Sequence, residues 1–351
     1  MSTAPAQVKL KKQNLKTVAA ELGVSVATVS NAFNRPDQLS PELRQKILTQ
    51  CEVLGYSGPN AAARSLRTGK SGIIAILLSD TLEYSVSDPV ANQLIKGVAE
   101  VLQRHGRDLL LLSGTHNSRS SSAEAVPDGF ILYGAPNNPE QLERILRQQK
   151  PMITVDCNLN DLPSVNIDNF SFAKQIALHA FATMPGKIAV LGLRLIESDR
   201  VCRIQPDELY RSEQAISRRR LEGYLAAASE VGRDLPAEAV WHIPVNQHEQ
   251  ALMAAREALQ QAVRPRVLLC MSDRIALAAM MVARELGIDI PSELVVVGFD
   301  GIEEGERFYP ALTTIQQYSA EKGRLAASRL LAGELSGDVE LHCDLVVRQS
   351  C

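Results

Sequence analysis

From Gly72 onward, short runs rich in Val, Ile and Leu alternate with stretches of helical periodicity. This alternation constrains the fold most, because strand–helix–strand units form right-handed crossovers onto parallel sheets. So many strands favour two doubly wound subdomains over a single sheet. The predicted strands are Ile73–Leu78, Asp108–Leu112, Gly129–Leu132, Met152–Val155, Ile188–Leu193, Val240–Ile243, Val267–Met271 and Leu294–Gly298. The predicted helices include 90–105, 141–149, 170–183, 219–231, 249–261 and 274–286.

The composition is that of an ordinary globular protein. The chain has 351 residues, 45% of them hydrophobic and 22% charged, which excludes disordered and collagen-like classes. No apolar run approaches the roughly 18–20 residues that span a bilayer. The segment Met1–Lys16 is polar and lysine-rich, unlike a secretory signal. We therefore expect a cytoplasmic protein without a membrane partner.

The six cysteines form no C-x-x-C pair, and none stands at metal-ligand spacing from a histidine. Reduced, mostly buried thiols are the simplest interpretation, and a catalytic cysteine is a distant alternative. We predict no metal and no cofactor.

The net charge of −3 conceals a strong asymmetry. Residues 1–70 hold ten Lys and Arg against four acids, whereas the remainder holds 27 basic and 36 acidic residues. A basic head on an acidic body is typical of a polyanion-binding module joined to a domain that does not bind polyanions. A disordered basic tail is the alternative, but the head contains helix-forming sequence.

The head has the pattern of a helix-turn-helix. A first helix with Thr17 as its cap ends at Gly23, and a second helix begins after Ser25. A third helix starts at Ser40-Pro41-Glu42, with Pro41 in its first position. The second helix of such a motif presents its N-terminal residues to the major groove. A generic three-helix cap would share this pattern, but the short polar side chains of the second helix favour contact with DNA.

The runs LKTVAAELGVSVATVSNAFN and GYSGPNAAARSLRTGKSGIIAILL closely resemble the LacI/GalR family of bacterial transcription repressors. The resemblance implies a DNA-binding head, a hinge helix and a periplasmic-binding-protein-like body with a cleft between two doubly wound parallel-sheet subdomains. The implied boundaries are a flexible basic tail at 1–13, the head at 14–58, the hinge at 59–71 and the effector-binding and dimerisation domain at 72–351. We expect the chain to cross between the subdomains near residues 169, 300 and 318.

The candidate DNA-binding residues divide by role. Short hydroxyl and amide side chains suit phosphates, and an asparagine amide can read a base edge, adenine above all. By resemblance, the base-reading positions are Val26, Ala27 and Asn31, and the hinge carries Leu66 as an apolar wedge for the minor groove. An ordinary core contact is the alternative for Leu66. The full set is Thr17, Ser25, Val26, Ala27, Thr28, Ser30, Asn31, Asn34, Asn60, Arg64 and Leu66.

Polar residues directly after predicted strands are the candidates for a small-molecule site, because doubly wound sheets bind ligands at the carboxyl ends of their strands. Helix N-capping is the alternative for each of them. These residues are Ser79, Asp80, Asp156, Asp273 and Asp300.

The resemblance adds further effector candidates. The segment RLEGY resembles the one whose arginine, here Arg220, contacts effector, and MSDRIA places Asp273 in the same role. Asp156 also falls on an effector position. Asn246 stands where relatives often have a stacking aromatic residue. Tyr84 either lines the cleft or shapes its loop. Residues 194–217 are unusually long and polar, and we favour a surface excursion over a flap.

These observations predict a sequence-specific repressor that binds a pseudo-palindromic double-stranded DNA operator as a homodimer and is associated with the nucleoid when bound. A small polar effector (a sugar, sugar acid, nucleoside or similar metabolite) would control it from the cleft. An enzyme is disfavoured because no G-x-G-x-x-G follows a strand and no complete P-loop exists. A secreted solute-binding protein would need a signal segment. The C-terminal segment Leu341–Cys351 reads as a strand with a short tail, which favours a dimer over a tetramer.

Overall fold

The computed structural model describes residues 14–56, 69–115, 122–135, 137–205, 208 and 216–351. The chain divides into two units, of which the first ends at Ser71 and the second begins at Gly72. We call them the head and the body. The predicted hinge residues Asn60, Arg64 and Leu66 lie outside the described residues.

Within the described part of the head, residues 14–56 fold as three helices around a small core. The first helix is capped by Asn14, whose side chain accepts hydrogen bonds from the backbone N–H groups of Lys16 and Thr17 at 3.0 and 3.1 Å. The prediction of Thr17 as the cap is wrong, because the chain turns one residue before Leu15 and leaves Thr17 inside the first turn. Gly23 ends this helix in the left-handed conformation, with φ of 66°. The helices are α1 (Leu15–Leu22), α2 (Val26–Asn34) and α3 (Pro41–Val53), with a 3-10 turn at Pro36–Gln38. The buried core comprises Val18, Ala19, Val29, Ala32, Ile47 and Cys51.

The first sheet of the body has six parallel strands, in the order β12-β5-β4-β3-β1-β2. Its central strands are buried on both faces, which explains their continuous apolar sequence. The strands are β1 (Ile73–Leu78), β2 (Asp108–Ser113), β3 (Gly129–Tyr133), β4 (Met152–Val155), β5 (Ser164–Ile167) and β12 (Val339–Leu341). The helices between β1 and β4 are α4 (Leu82–Ser87), α5 (Pro89–Arg104), α6 (Ser122–Ala125) and α7 (Pro139–Leu146).

The second sheet has the order β10-β9-β6-β8-β7, parallel except for its short edge strand β7. Both sheets therefore reverse strand order beside their first strand, as doubly wound sheets do. The strands are β6 (Ile188–Leu193), β7 (Cys202–Arg203), β8 (Val240–Ile243), β9 (Val267–Cys270) and β10 (Val295–Val297). The helices are α8 (Asn169–Thr183), α9 (Ile216–Glu230), α10 (His248–Leu259), α11 (Asp273–Glu285) and α12 (Glu303–Arg307).

A small antiparallel pair, β11 (Thr314–Gln316) with β13 (Asp344–Val346), adjoins the second sheet. The helix α13 (Ser319–Ala332) packs instead on the core of the first sheet. The chain thus passes between the sheets after β5, after β11 and after β12. Residue 300, where we expected a passage, stays with the second sheet, because Asp300 forms a bridge with Gln316.

Several elements escape prediction from the sequence. The strands β5, β7 and β11 have only two to four residues, too few for a periodic pattern. The helix α13 buries mostly small or polar residues, among them Ser319, Lys322 and Gly323, so its sequence lacks a clear apolar stripe. The strand predicted within Leu341–Cys351 is β13, and the neighbouring β12, which ends at Leu341, belongs to the first sheet.

Candidate functional site

The N-terminus of α2 is organised by Ser25. Its hydroxyl accepts a hydrogen bond from the backbone N–H of Thr28 at 3.0 Å and lies 2.8 Å from the Thr28 hydroxyl. Val26 is 43% exposed and Ala27 is exposed as well. Val29 is fully buried in the head core. Helix α2 therefore presents Val26 and Ala27 to solvent, while Val29 packs into the core of the head.

The C-terminal half of α2 continues this polar surface. The Asn34 amide donates to the backbone oxygen of Ser30 at 3.0 Å and to its hydroxyl at 3.2 Å. The Asn31 amide donates to the side-chain oxygen of Gln38 at 3.1 Å. No carboxylate lies on α2, so this surface does not repel phosphates. The sequence analysis did not select Gln38 as a partner of Asn31, because Gln38 lies in the turn after α2.

In the body, polar residues collect where the carboxyl ends of the two sheets meet. Three strand-end residues have positive φ there: 56° at Asp156, 51° at Arg194 and 144° at Asp300. Such conformations cost about 1–3 kcal/mol each for residues other than glycine and cluster at functional sites. We call this region the cleft.

Arg220, from α9, is 7% exposed and forms the centre of the second-sheet side of the cleft. Its guanidinium donates to the side chain of Asn169 at 3.0 Å and to the backbone oxygen of Met271 at 2.5 Å. It also lies 3.6 Å from a carboxylate oxygen of Asp300 and 3.6 Å from the centre of the Phe299 ring. Burial raises the pKa of Asp300, and Arg220 opposes that rise.

Asp273 is fully buried, and its carboxylate is engaged within the protein. One oxygen accepts from the backbone N–H groups of Gly301 and Ile302 at 2.8 and 2.9 Å. The other accepts from the Thr314 hydroxyl at 2.5 Å. Burial raises the pKa of Asp273 to about 6 against these hydrogen bonds. Helix α11 is capped by Ser272 rather than by Asp273. The Asp273 carboxylate instead fixes the 300–302 loop through its hydrogen bonds to that backbone.

A chain of buried polar groups joins the two sides of the cleft. The Lys322 ammonium is fully buried and donates to both oxygens of Asp156, at 2.8 and 2.6 Å. It also donates to the side-chain oxygen of Gln317 at 2.9 Å. The Gln317 amide nitrogen in turn donates to Asp300 at 2.7 Å. Asp156 and Asp300, far apart in sequence, are thus linked through two residues that the sequence analysis missed.

The other candidates line the same region. Asp80 forms a two-point ion pair with Arg194, and the Tyr84 ring lies 5.7 Å from the Arg194 guanidinium. The Ser79 backbone oxygen accepts from the Asn137 amide at 2.7 Å. Asn246 is buried and accepts from the Ser272 hydroxyl at 2.8 Å. Tyr84 belongs to α4 rather than to a loop, and burial raises its pKa.

A simple signal could have found two of the missed residues. Gln317 directly follows β11 and Arg194 directly follows β6, so the rule that selected Asp80 and Asp156 applies to both. Lys322 offers no such signal, because it lies within the first turn of a helix and its burial depends on the packing of α13.

Other classes of site are not evident in the described part of the chain. No group of three or more His, Cys, Asp or Glu is arranged there to hold a metal ion. No helix among these residues is long and apolar enough to cross a membrane.

A three-helix DNA-binding head and a two-sheet body with a polar cleft define a class of transcription regulators. Residues 14–60 match the family model described as bacterial regulatory proteins, lacI family, and residues 201–351 match a periplasmic binding protein-like domain. An HTH-type transcriptional regulator of Mycobacterium tuberculosis is 34% identical over 338 residues, which cover 93% of this chain and 92% of that protein. The HTH-type transcriptional repressor PurR of Photorhabdus laumondii is 29% identical, with 96% of each chain covered.

Among solved structures, the lac repressor dimer bound to operator and an anti-inducer superposes with a TM-score of 0.73. It covers 97% of this chain and 99% of its own at 21% identity, which establishes the shared fold. The chain belongs to the lacI family of bacterial regulatory proteins. It is a DNA-binding transcriptional regulator and not an enzyme.

Proposed function

We propose that this protein is a repressor that binds a pseudo-palindromic operator as a homodimer. Its affinity for the operator changes when an effector occupies the cleft. The observation that supports operator binding is the surface of α2, where the exposed Val26 and Ala27 lie beside hydroxyl and amide groups. The similarity to a lac repressor dimer on its operator supports the dimeric arrangement. A dimer matches a pseudo-palindrome because both share a two-fold axis.

In this proposal α2 enters the major groove. Val26, Ala27 and Asn31 face base edges, and the Asn31 amide, oriented by Gln38, reads adenine. Thr17, Ser25, Thr28, Ser30 and Asn34 lie toward the phosphates that fix the register. By family resemblance, Asn60 and Arg64 add backbone contacts and Leu66 enters the minor groove.

For the effector, the charges of the cleft favour a neutral, polyhydroxylated molecule. Arg220 faces Asp300 at 3.6 Å, Lys322 faces Asp156 at 2.6 Å, and Arg194 faces Asp80 at 2.8 Å. An anionic effector would compete with Asp300 or Asp156 for its buried cation, and a buried charge without its partner is costly. Hydroxyl groups donate and accept, so they can bind beside paired charges. A sugar or polyol therefore suits the cleft better than a sugar acid.

The predicted effector residues then have distinct roles. Arg220, Asp300, Asn246 and Ser79 would bind effector hydroxyls. Asp273 acts through the 300–302 loop that it holds, since its own oxygens are engaged. Asp156 acts together with Lys322. Tyr84 and Asp80 would contact effector from the first-sheet side.

The test begins with selection of bound duplexes from random DNA, which should return a pseudo-palindrome. Asn31→Ala should then weaken binding by about 1–3 kcal/mol and relax preference at one symmetric position. The control is Gln45→Ala, because Gln45 is an exposed amide on α3 whose partner is Thr49. Enrichment of no sequence, or an unchanged preference in Asn31→Ala, would contradict the proposed role of α2.

A further inference from the structure

The segment that follows β6, residues 194–198, is fixed to the second sheet by a buried histidine. The Nδ1 atom of His242 accepts hydrogen bonds from the backbone N–H groups of Leu195 and Ile196 at 3.1 and 3.4 Å. Its Nε2 atom lies 3.0 Å from the backbone oxygen of Ser198, to which it donates. The backbone N–H of Arg194 donates to the oxygen of Ile243 at 2.9 Å. Residues 194–198, the start of the long polar stretch, are thus anchored to the second sheet.

In this conformation the side chain of Arg194 extends across the cleft. Its two terminal nitrogens donate to the two carboxylate oxygens of Asp80, at 3.2 and 2.8 Å. Asp80 follows β1 of the first sheet, whereas Arg194 follows β6 of the second. The positive φ of 51° at Arg194 redirects the chain at the point where its side chain leaves the strand end.

A second arginine makes a parallel contact. Arg274, on α11 beside the second sheet, donates to the backbone oxygen of Ser87 at 2.7 Å. Ser87 ends α4 on the first-sheet side. The other terminal nitrogen of Arg274 donates to the backbone oxygen of Asn246 at 2.9 Å, so this arginine is anchored on its own side while it reaches across. We call the Arg194–Asp80 and Arg274–Ser87 interactions the cross-cleft contacts.

The cross-cleft contacts exist only while the two sides of the cleft are close. The side chains of Arg194 and Asp80 are 38% and 24% exposed. Because solvent screens such a pair, it contributes little to the free energy of folding of the body. A contact made in one arrangement and absent from the other shifts the equilibrium between them by its own free energy. Even a modest ion pair therefore shifts the populations of the two arrangements toward the closed one.

We propose that Arg194 is a positioning residue of the effector site: by its ion pair with Asp80 it holds the cleft closed, with Arg274 as a second, independent contact. The assignment of the cleft to an effector rests on the proposed function, whereas closure of the cleft does not. In this view an effector that engages Asp80 must compete with Arg194, and one that leaves the pair intact is enclosed by it.

The experiment is amide hydrogen exchange by mass spectrometry on the full chain, without DNA or added ligand. In Arg194→Gln, exchange should accelerate in peptides covering residues 82–88, on the opposite side of the cleft, by about two- to fivefold, as expected for an exposed ion pair. Arg194→Gln combined with Arg274→Gln should accelerate it further. The charge exchange Asp80→Arg with Arg194→Asp should restore slow exchange.

The matched control is Arg203→Gln, because Arg203 lies in the same stretch of chain but pairs with Glu257 on its own side of the cleft. Its exchange at residues 82–88 should match the wild type. Acceleration confined to peptides around residue 194 would overturn the proposal, as would a charge exchange that restores nothing. Because no DNA is present, either result leaves the proposed operator binding intact, whereas loss of operator binding with the expected exchange would refute only that function.

Discussion

The head and the body of this regulator place their candidate residues in opposite ways. In the head, the proposed base-reading and phosphate-facing residues lie mainly on the nine residues of α2, close together in sequence and at least partly exposed. In the body, residues as distant as Asp156 and Lys322 share one buried ion pair. A surface that reads DNA can be built on one helix, but a closed polar site requires the topology of two sheets. A substitution in one region should therefore leave the stability of the other region unchanged.

The largest expected effect is in the body, at Lys322. Lys322→Met leaves the Asp156 carboxylate buried without its partner, which should lower the free energy of unfolding of the body by about 3–5 kcal/mol. Calorimetry of the full chain should show the body transition at lower temperature and the head transition unchanged.

The control is Lys174→Met, because Lys174 pairs with Glu230 at the surface, where both side chains are at least 33% exposed. It should cost less than about 1 kcal/mol. Equal costs for the two lysine variants would show that the buried Lys322–Asp156 ion pair does not stabilise the body.

The next effect is in the head core. Ile47 is fully buried there, and Ile47→Ala should destabilise the head by about 2–5 kcal/mol through lost burial and the cavity left behind. The head is small, so operator binding should fall at temperatures where the body is still folded. The calorimetric body transition should not move.

Val53→Ala provides the comparison, since Val53 lies on the same helix and is 73% exposed. It should leave both transitions within about 0.5 kcal/mol of the wild type. A body transition that shifts with Ile47→Ala would mean that the two units do not unfold independently.

The smallest effect is the pH response of His242. Burial lowers the pKa of His242 below its usual value, against the hydrogen bond to Ser198 and the charge of Glu208. The unfolded chain then binds the proton first, so His242 by itself makes the body less stable as pH falls below about 6.5, and this contribution levels off below its folded pKa. The raised pKa values of Asp273 and Asp300 contribute with the opposite sign, so the effect of His242 is the difference between variant and wild type. His242→Gln, which can still accept and donate, should flatten this part of a urea-midpoint profile.

His248→Gln serves as the reference, because His248 is exposed at the start of α10. Its profile should retain the wild-type slope. If His242→Gln keeps that slope too, His242 does not carry the acid sensitivity.

The contrast between the regions also explains what the sequence could predict. The three head helices have local signals, namely Ser25, Gly23 and Pro41 at the expected helix ends, and only the cap at Asn14 was misplaced. The long strands of the body were evident from their apolar runs. The partners of the strand-end residues were not, because the contact of Arg194 with Asp80 and of Lys322 with Asp156 depends on how the sheets face each other. Asp273 and Asp156 lie at the strand ends of the cleft, and their role in effector binding stays a prediction; their engagement inside the protein had no sequence signal.

The most direct test of the central claim is reciprocal coupling between operator and effector. A thermal-unfolding panel of neutral sugars, polyols, sugar acids, nucleosides and phosphorylated sugars should give a neutral polyhydroxylated ligand that stabilises the body by about 2.7 kcal/mol at 100 times its Kd. This shift should disappear in Arg220→Met and persist in Arg219→Met, where the arginine is exposed on the same helix. The ligand should change the operator Kd, and the operator should change the ligand Kd by the same factor. A ligand that binds the cleft and leaves the operator Kd unchanged would contradict the account.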